Sequence, residues 1–296
     1  MIFSLNTHED ESSNAACQLV RPSRVPVHTV PGLTPLASTP DVTGERFLFI
    51  GGLHRSGTSI LHRLLREHPS TSSFPGTGAP QDEGQHLQTV FPPAKPLGGP
   101  GRFAFAPQLY LTETSPLATS GNRDQLLREW GAYYDLGKAI LLEKSPPNLI
   151  RSRFLQALFP GACFVFIVRH PIAVALATQK WSRTTLVELL LHWYVAHAIM
   201  LADLQHLQHY TLIRYEDFVE APQTSLDRVC DMTGLERFTP RECVANHNDQ
   251  YFARWAQSDR PSQQLLECTL GHEGGPLGLF GYAFRAPYVG PYTLGR

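Results

Sequence analysis

Two stretches of this chain carry the groups that hold a phosphate. Residues 52–59, GLHRSGTS, have the glycine spacing of a loop whose backbone N–H groups cradle an anion. They stand where a short apolar run gives way to helical spacing, so the dipole of the coming helix also favours negative charge. A loop that binds a nucleoside triphosphate carries a lysine for the outer phosphates, but here Thr58 occupies that position. The second stretch is CFVFIVR, an apolar run that ends in Arg169 where a triphosphatase would end in an acid holding Mg²⁺. A guanidinium at that point suits a phosphate and opposes a metal cation. Each segment alone would read as an ordinary tight turn and a surface arginine. Together, each at the end of an apolar run, they predict an anion site without a metal.

Further along lie groups able to move protons. QDEGQH, residues 81–86, offers Asp82, Glu83 and His86. A partly buried carboxylate with a raised pKa, or a neutral imidazole, each accepts a proton near pH 7; a solvated acidic loop is the structural alternative. Lys144 ends the apolar run AILLEK. His192, His197, His206 and His209 lack a matched set of carboxylates and read as core or surface residues, not metal ligands. Trp181, Trp193 and Trp255 read as core aromatics. Cys17, Cys163, Cys230, Cys243 and Cys268 are odd in number and show no CxxC spacing. Neither a zinc site nor a disulfide framework is expected, and a reducing, cytoplasmic setting is.

The elements that must position these groups alternate. RFLFIGG reads as a strand, ILHRLLREH as a helix stopping at Pro69, AILLEKS as a strand and LIRSRFLQALF as a helix. CFVFIVR is a fully apolar strand, followed by a helix from Pro171 and a long amphipathic helix over 184–208. YTLIRYEDF reads as another strand and SLDRVCDMTG as its helix. Such alternation predicts an α/β fold, a central parallel sheet flanked by helices. Residues 70–120 are rich in Pro, Gly, Ser and Thr apart from any periodic run, and an irregular segment of that length forms lids or binding walls. The last 55 or so residues have low periodicity and stay mostly unassigned.

Length and charge bound the rest. The 296 residues, 42% hydrophobic and 17% charged, supply one large core. Residues 1–45 read as an extended arm and 46–296 as a single α/β domain. The 25 basic and 26 acidic residues leave a net charge of −1, so no broad basic field points to nucleic acid. The chain opens without a signal-peptide pattern, and no stretch reaches the roughly 18 uninterrupted apolar residues of a membrane span, so a soluble, unsecreted protein is expected.

In their order, GLHRSGTS, EKSPPN, VRHPIAVALATQKW and RYEDF resemble the motifs of the sulfotransferases that use 3′-phosphoadenosine 5′-phosphosulfate, over residues 46 to about 230. The resemblance implies a P-loop-like fold in which Arg55, Ser56, Gly57, Thr58 and Ser59 bind the 5′-phosphosulfate and Arg169 the 3′-phosphate. It implies that Lys144 stands by the bridging oxygen of the leaving group and that Tyr215 lies against adenine, although a core tyrosine fits the pattern as well. Three departures matter. The family's serine eight residues past the arginine is Ala177 here, with Thr178 adjacent and about 100° away on the same helix. Pro146 replaces the histidine that serves the cytosolic branch as base, and that branch's C-terminal Arg-Lys-Gly loop is absent. By likeness to the branch that modifies carbohydrates and protein tyrosines, the base falls to Glu83 first and His86 second.

The activity so implied is sulfuryl transfer to a hydroxyl by in-line displacement, without a metal. The small acceptor would be selected by residues 70–120 and the unassigned C-terminal stretch, whose aromatic and apolar content favours a lipidic or aromatic alcohol over a large anionic glycan. Two alternatives stand beside it: a small-molecule kinase with an atypical loop, and a non-catalytic nucleotide-binding protein of the same fold.

Overall fold

A computed structural model describes residues 46–258, 260–271, 274–284 and 288–290; the arm expected over residues 1–45 lies outside them. Five strands, β1 (Arg46–Gly51), β2 (Thr71–Ser72), β3 (Ile140–Lys144), β4 (Cys163–Val168) and β5 (Tyr210–Arg214), form a parallel sheet in the order β2-β3-β1-β4-β5. In β1, Phe47 and Phe49 join one core and Leu48 and Ile50 the other; β4 divides likewise between Phe164, Phe166 and Cys163, Val165. Alternate side chains leave opposite faces of a strand, so a sheet covered on both faces needs continuous apolar runs. That is why these strands were legible.

Helices cover both faces. Leu61, Leu64 and Leu65 of α1 (Thr58–Leu65) complete the core beneath Leu48 and Ile50. On the far side of the chain follow α2 (Ser120–Gly131), α3 (Ser152–Leu158), α4 (Pro171–Gln179) and α5 (Leu186–Asp203), whose buried residues belong to the core of Phe47 and Phe49. By length and composition, residues 186–206 are long and apolar enough to cross a bilayer, but in this fold Leu189, Leu190, Trp193, Ala196 and Met200 are buried in the core.

The structure corrects several boundaries. The strand predicted over YTLIRYEDF ends at Arg214, and α6 (Tyr215–Glu220) follows at once. Glu216 and Asp217 lie in its first turn, where the helix dipole favours acids, and Arg214 is paired with Asp217 at 2.6 Å. The double proline of EKSPPN makes residues Pro146–Ile150 a 3₁₀ turn, so α3 starts only at Ser152. The segment left unassigned holds the end of the fold beyond α7 (Pro222–Thr233): α8 (Asp249–Ala256), α9 (Arg260–Leu270), α10 (Pro276–Leu279) and the antiparallel pair β6 (Tyr282–Ala283) and β7 (Tyr288–Val289).

One topological point places the site. From β1 the chain crosses towards β2 and β3, whereas from β4 it continues to β5 on the opposite side. Connections that diverge from adjacent parallel strands open a crevice at their carboxyl ends. The loop after β1 and Arg169 after β4 border that crevice.

Candidate active site

Gly57 ends the loop after β1 as the N-cap of α1, with φ of 108°, and no side chain caps the helix. Its first amides are therefore left to the cleft. Glycine is required there twice over, because a Cβ would also stand 2.8 Å from the Tyr215 ring. Arg55 has a positive φ as well, 71°. Ser56 is fully buried, and its Oγ has no hydrogen-bonding partner among the described residues.

The cleft has a volume of about 360 Å³. Arg55, Gly57, Thr58, Ser59, Glu83, Arg169, Thr178 and Tyr215 all line it, whereas Ser56, Lys144 and His86, also expected at the site, are not on its wall. Ala177 is wholly buried in the α4 core, whereas Thr178 faces the cleft. Arg169 stacks on Tyr215 with the guanidinium carbon 4.2 Å from the ring centroid. Its Nε donates to Asn248 Oδ1 at 2.7 Å and its Nη1 to the Arg55 carbonyl at 2.8 Å, but Nη2 is buried without a partner among the described residues. Burial lowers the pKa of this arginine from its ordinary value, a pull that Tyr215 and Glu216 oppose. An unmatched buried cation is costly, and an anion in the cleft would relieve it.

Glu83, on the cleft wall, belongs to a buried ion pair. Lys144, 2% exposed at the end of β3, donates from Nζ to Glu83 Oε1 at 3.0 Å and to the Gln81 carbonyl at 3.2 Å. Glu83 Oε2 accepts from Gln85 Nε2 at 2.6 Å. The loop carrying Glu83 is riveted to the strand end: Gly84 N–H donates to Glu143 Oε1 at 2.9 Å and Gln85 N–H to Ser145 Oγ at 3.1 Å, and Trp130 Nε1 donates to the Gly84 carbonyl at 3.0 Å. Gly84 has to be glycine, since a Cβ would stand 2.6 Å from the Glu143 carboxylate. Glu143 also accepts from Ser145 and Asn148, and its burial raises its pKa above the usual 4.5.

The other proton-transfer candidates lie off the cleft. His86 Nε2 is 3.9 Å from Glu83 Oε2, and the ring does not line the cleft; burial lowers its pKa. Asp82 serves its own loop, accepting from Thr77 Oγ1 at 2.7 Å and from the Thr77 and Gly76 amides. His192 and His197 are buried, and His206 and His209 are exposed. Trp193 and Trp255 are core residues as expected. Trp181 is not: it is 72% exposed and lines the cleft, with the Arg55 guanidinium 5.8 Å over its ring. It lies in the turn just past the end of α4, where its backbone N–H donates to the Thr178 carbonyl at 2.8 Å.

Sequence reasoning passed over three more residues. His54, inside the glycine loop, lines the cleft, and burial drives its pKa down to about 4 against the pull of Glu83. His247 lines the cleft and Asn248 holds Arg169, both from the region without periodicity, where no local signal marks them.

Comparison with known proteins gives one family. Residues 48–240 match the model of the Sulfotransferase family. Nodulation protein NoeE of Sinorhizobium fredii is 26% identical over 215 residues, 64% of this chain; the chain spans about half the length of that relative, 50%. Among solved structures, a sulfotransferase from Alicyclobacillus acidocaldarius is 17% identical with a TM-score of 0.45, covering 76% of this chain and 95% of that one. The sulfotransferase domain of the Synechococcus PCC 7002 olefin synthase is 20% identical with a TM-score of 0.47, covering 76% and 94%.

Proposed function

This chain belongs to the sulfotransferase family, and we propose that it transfers a sulfuryl group from 3′-phosphoadenosine 5′-phosphosulfate to a hydroxyl of a small lipidic or aromatic alcohol. The observation that carries the reading is that one cleft is lined both by the uncapped start of α1 with Arg169, whose Nη2 has no partner among the described residues, and by Glu83, which is paired with the buried Lys144.

The donor fits the residues present. Arg55, Gly57, Thr58 and Ser59 and the first amides of α1 suit the 5′-phosphosulfate, with Ser56 buried in the same loop; Arg169 suits the 3′-phosphate and Tyr215 the adenine, with Thr178 on the same cleft wall. The donor supplies the sulfuryl group. The protein's own part is alignment and charge: the cleft holds the acceptor oxygen in line, and Lys144 offsets the charge that develops as the S–O bond to the leaving phosphate breaks. As the acceptor oxygen bonds to sulfur, its proton passes to Glu83. Ile60, Pro100 and Trp181 on the cleft wall suit an apolar acceptor.

Two measurements test this reading. Calorimetric titration should give tighter binding of 3′,5′-adenosine bisphosphate than of 5′-AMP by about 1.5–3 kcal/mol, the worth of charge-assisted contacts to one more phosphate. Arg169→Ala should erase most of that gap, and equal affinities in the wild type would refute the reading. Turnover should also survive EDTA, because Thr58 and Arg169 stand where a triphosphate enzyme keeps its lysine and its metal-binding acid. Activity lost to EDTA and restored by Mg²⁺ would favour a kinase.

A further inference from the structure

The last wall of the cleft comes from the C-terminal segment. Asn248, 1% exposed just before α8, accepts the Nε–H of Arg169 at 2.7 Å and donates from Nδ2 to Glu216 Oε1 at 2.7 Å. Glu216 is itself held on both oxygens, by the His170 amide at 3.1 Å and the Tyr282 hydroxyl at 2.6 Å. Asn248 is thus clamped in one amide orientation: its carbonyl must face the guanidinium because its NH₂ faces a carboxylate. With Nε fixed by Asn248, Nη1 fixed by the Arg55 carbonyl and the Tyr215 ring beneath, the guanidinium plane has no remaining freedom. Among the described residues Nη2 has no partner, so its N–H groups and the second Nη1–H are what the arginine has left for a ligand.

The choice of an amide is informative. A carboxylate at position 248 would hold Nε equally well but would neutralise Arg169 and stand against Glu216. The neutral amide orients the arginine and leaves its positive charge to whatever enters the cleft. We propose that Asn248, clamped by Glu216, is the positioning residue through which Arg169 discriminates a nucleotide bearing a 3′-phosphate from one without it. This rests on the sulfotransferase reading of Arg169 above.

The test is calorimetric titration of the full chain with 3′,5′-adenosine bisphosphate and with 5′-AMP, in the wild type, Asn248→Ala and Asn248→Asp. The two nucleotides differ only at the 3′ position, so the ratio of their affinities reports on Arg169 and is not moved by general damage to the cleft. Asn248→Ala is expected to lower that ratio about tenfold, with the loss falling on the bisphosphate. Asn248→Asp, which preserves shape and packing, is expected to lower it at least as far, and it decides the matter if the alanine variant does not fold. A ratio within twofold of wild type in the folded variants, or equal weakening of both nucleotides, overturns the proposal. A wild type with no preference for the bisphosphate overturns the reading of Arg169 itself, which separates the two failures.

Discussion

Glu83→Gln is expected to lower kcat/KM by about 10²–10⁴, the usual cost of removing a general base, while affinity for 3′,5′-adenosine bisphosphate stays near wild type. The amide keeps the shape of the side chain and can still accept from Lys144, but it cannot take up the acceptor's proton. The nucleotide end of the cleft, from Arg55 to Ser59 and at Arg169, is untouched. Because Glu83 and Lys144 form a pair with side chains only 7% and 2% exposed, the thermal midpoint must be measured alongside activity: removing one partner of a buried pair costs roughly 3–5 kcal/mol. His86→Asn is the competitor, and it should have little effect because the ring lies behind Glu83 and off the cleft wall. If His86→Asn collapses while Glu83→Gln remains active, the histidine is the base. If both stay active the base is elsewhere in the cleft, and His54 is the next residue to replace.

The second large effect is expected on stability at mildly acidic pH. His62, His170, His192 and His197 are each at most 5% exposed, and burial lowers their pKa values from 6.5 to about 3, 3, 3 and 4. Two of them are held in a geometry that demands the neutral ring: His170 Nδ1 accepts from the Ile172 amide at 3.3 Å and His192 Nε2 from the Ala104 amide at 3.1 Å. A depressed folded pKa means that the unfolded chain binds protons first as pH falls. The stabilisation is therefore complete above 6.5 and drains away between 6.5 and the folded values. At pH 5 each histidine would contribute a loss of about 2 kcal/mol, or roughly 8 kcal/mol together, comparable with the whole stability of an ordinary domain. Glu143 and Asp203, whose pKa values burial raises, oppose this in part. Urea unfolding at pH 7.5, 6 and 5 measures the slope, and His192→Gln, which keeps an acceptor for Ala104, should flatten it by about a quarter. Equal unfolding free energies at pH 7.5 and 5 would show that these rings are not buried as neutral groups.

What the amino-acid sequence determined by itself is local. The apolar runs of β1, β3 and β4 are continuous because both faces of the sheet are covered, and the glycine loop and Arg169 follow two of those runs directly. A strand end and the loop after it are fixed by neighbours in the chain, so this half of the cleft could be read. The two-residue β2 could not, because an edge strand needs neither length nor an apolar run. Nor could the exposure of Trp181, which depends on what packs over the end of α4. The other half of the cleft joins residues far apart in sequence: Lys144 meets Glu83 across 61 residues and Arg169 meets Asn248 across 79. Neither Glu83 nor Asn248 lies in a periodic segment, and each acquires its partner only when the strand order β2-β3-β1-β4-β5 brings the ends of β3 and β4 to the two sides of β1. Burial then decides their chemistry, because a carboxylate or an amide removed from water must satisfy its polar atoms with whatever the fold has placed beside it.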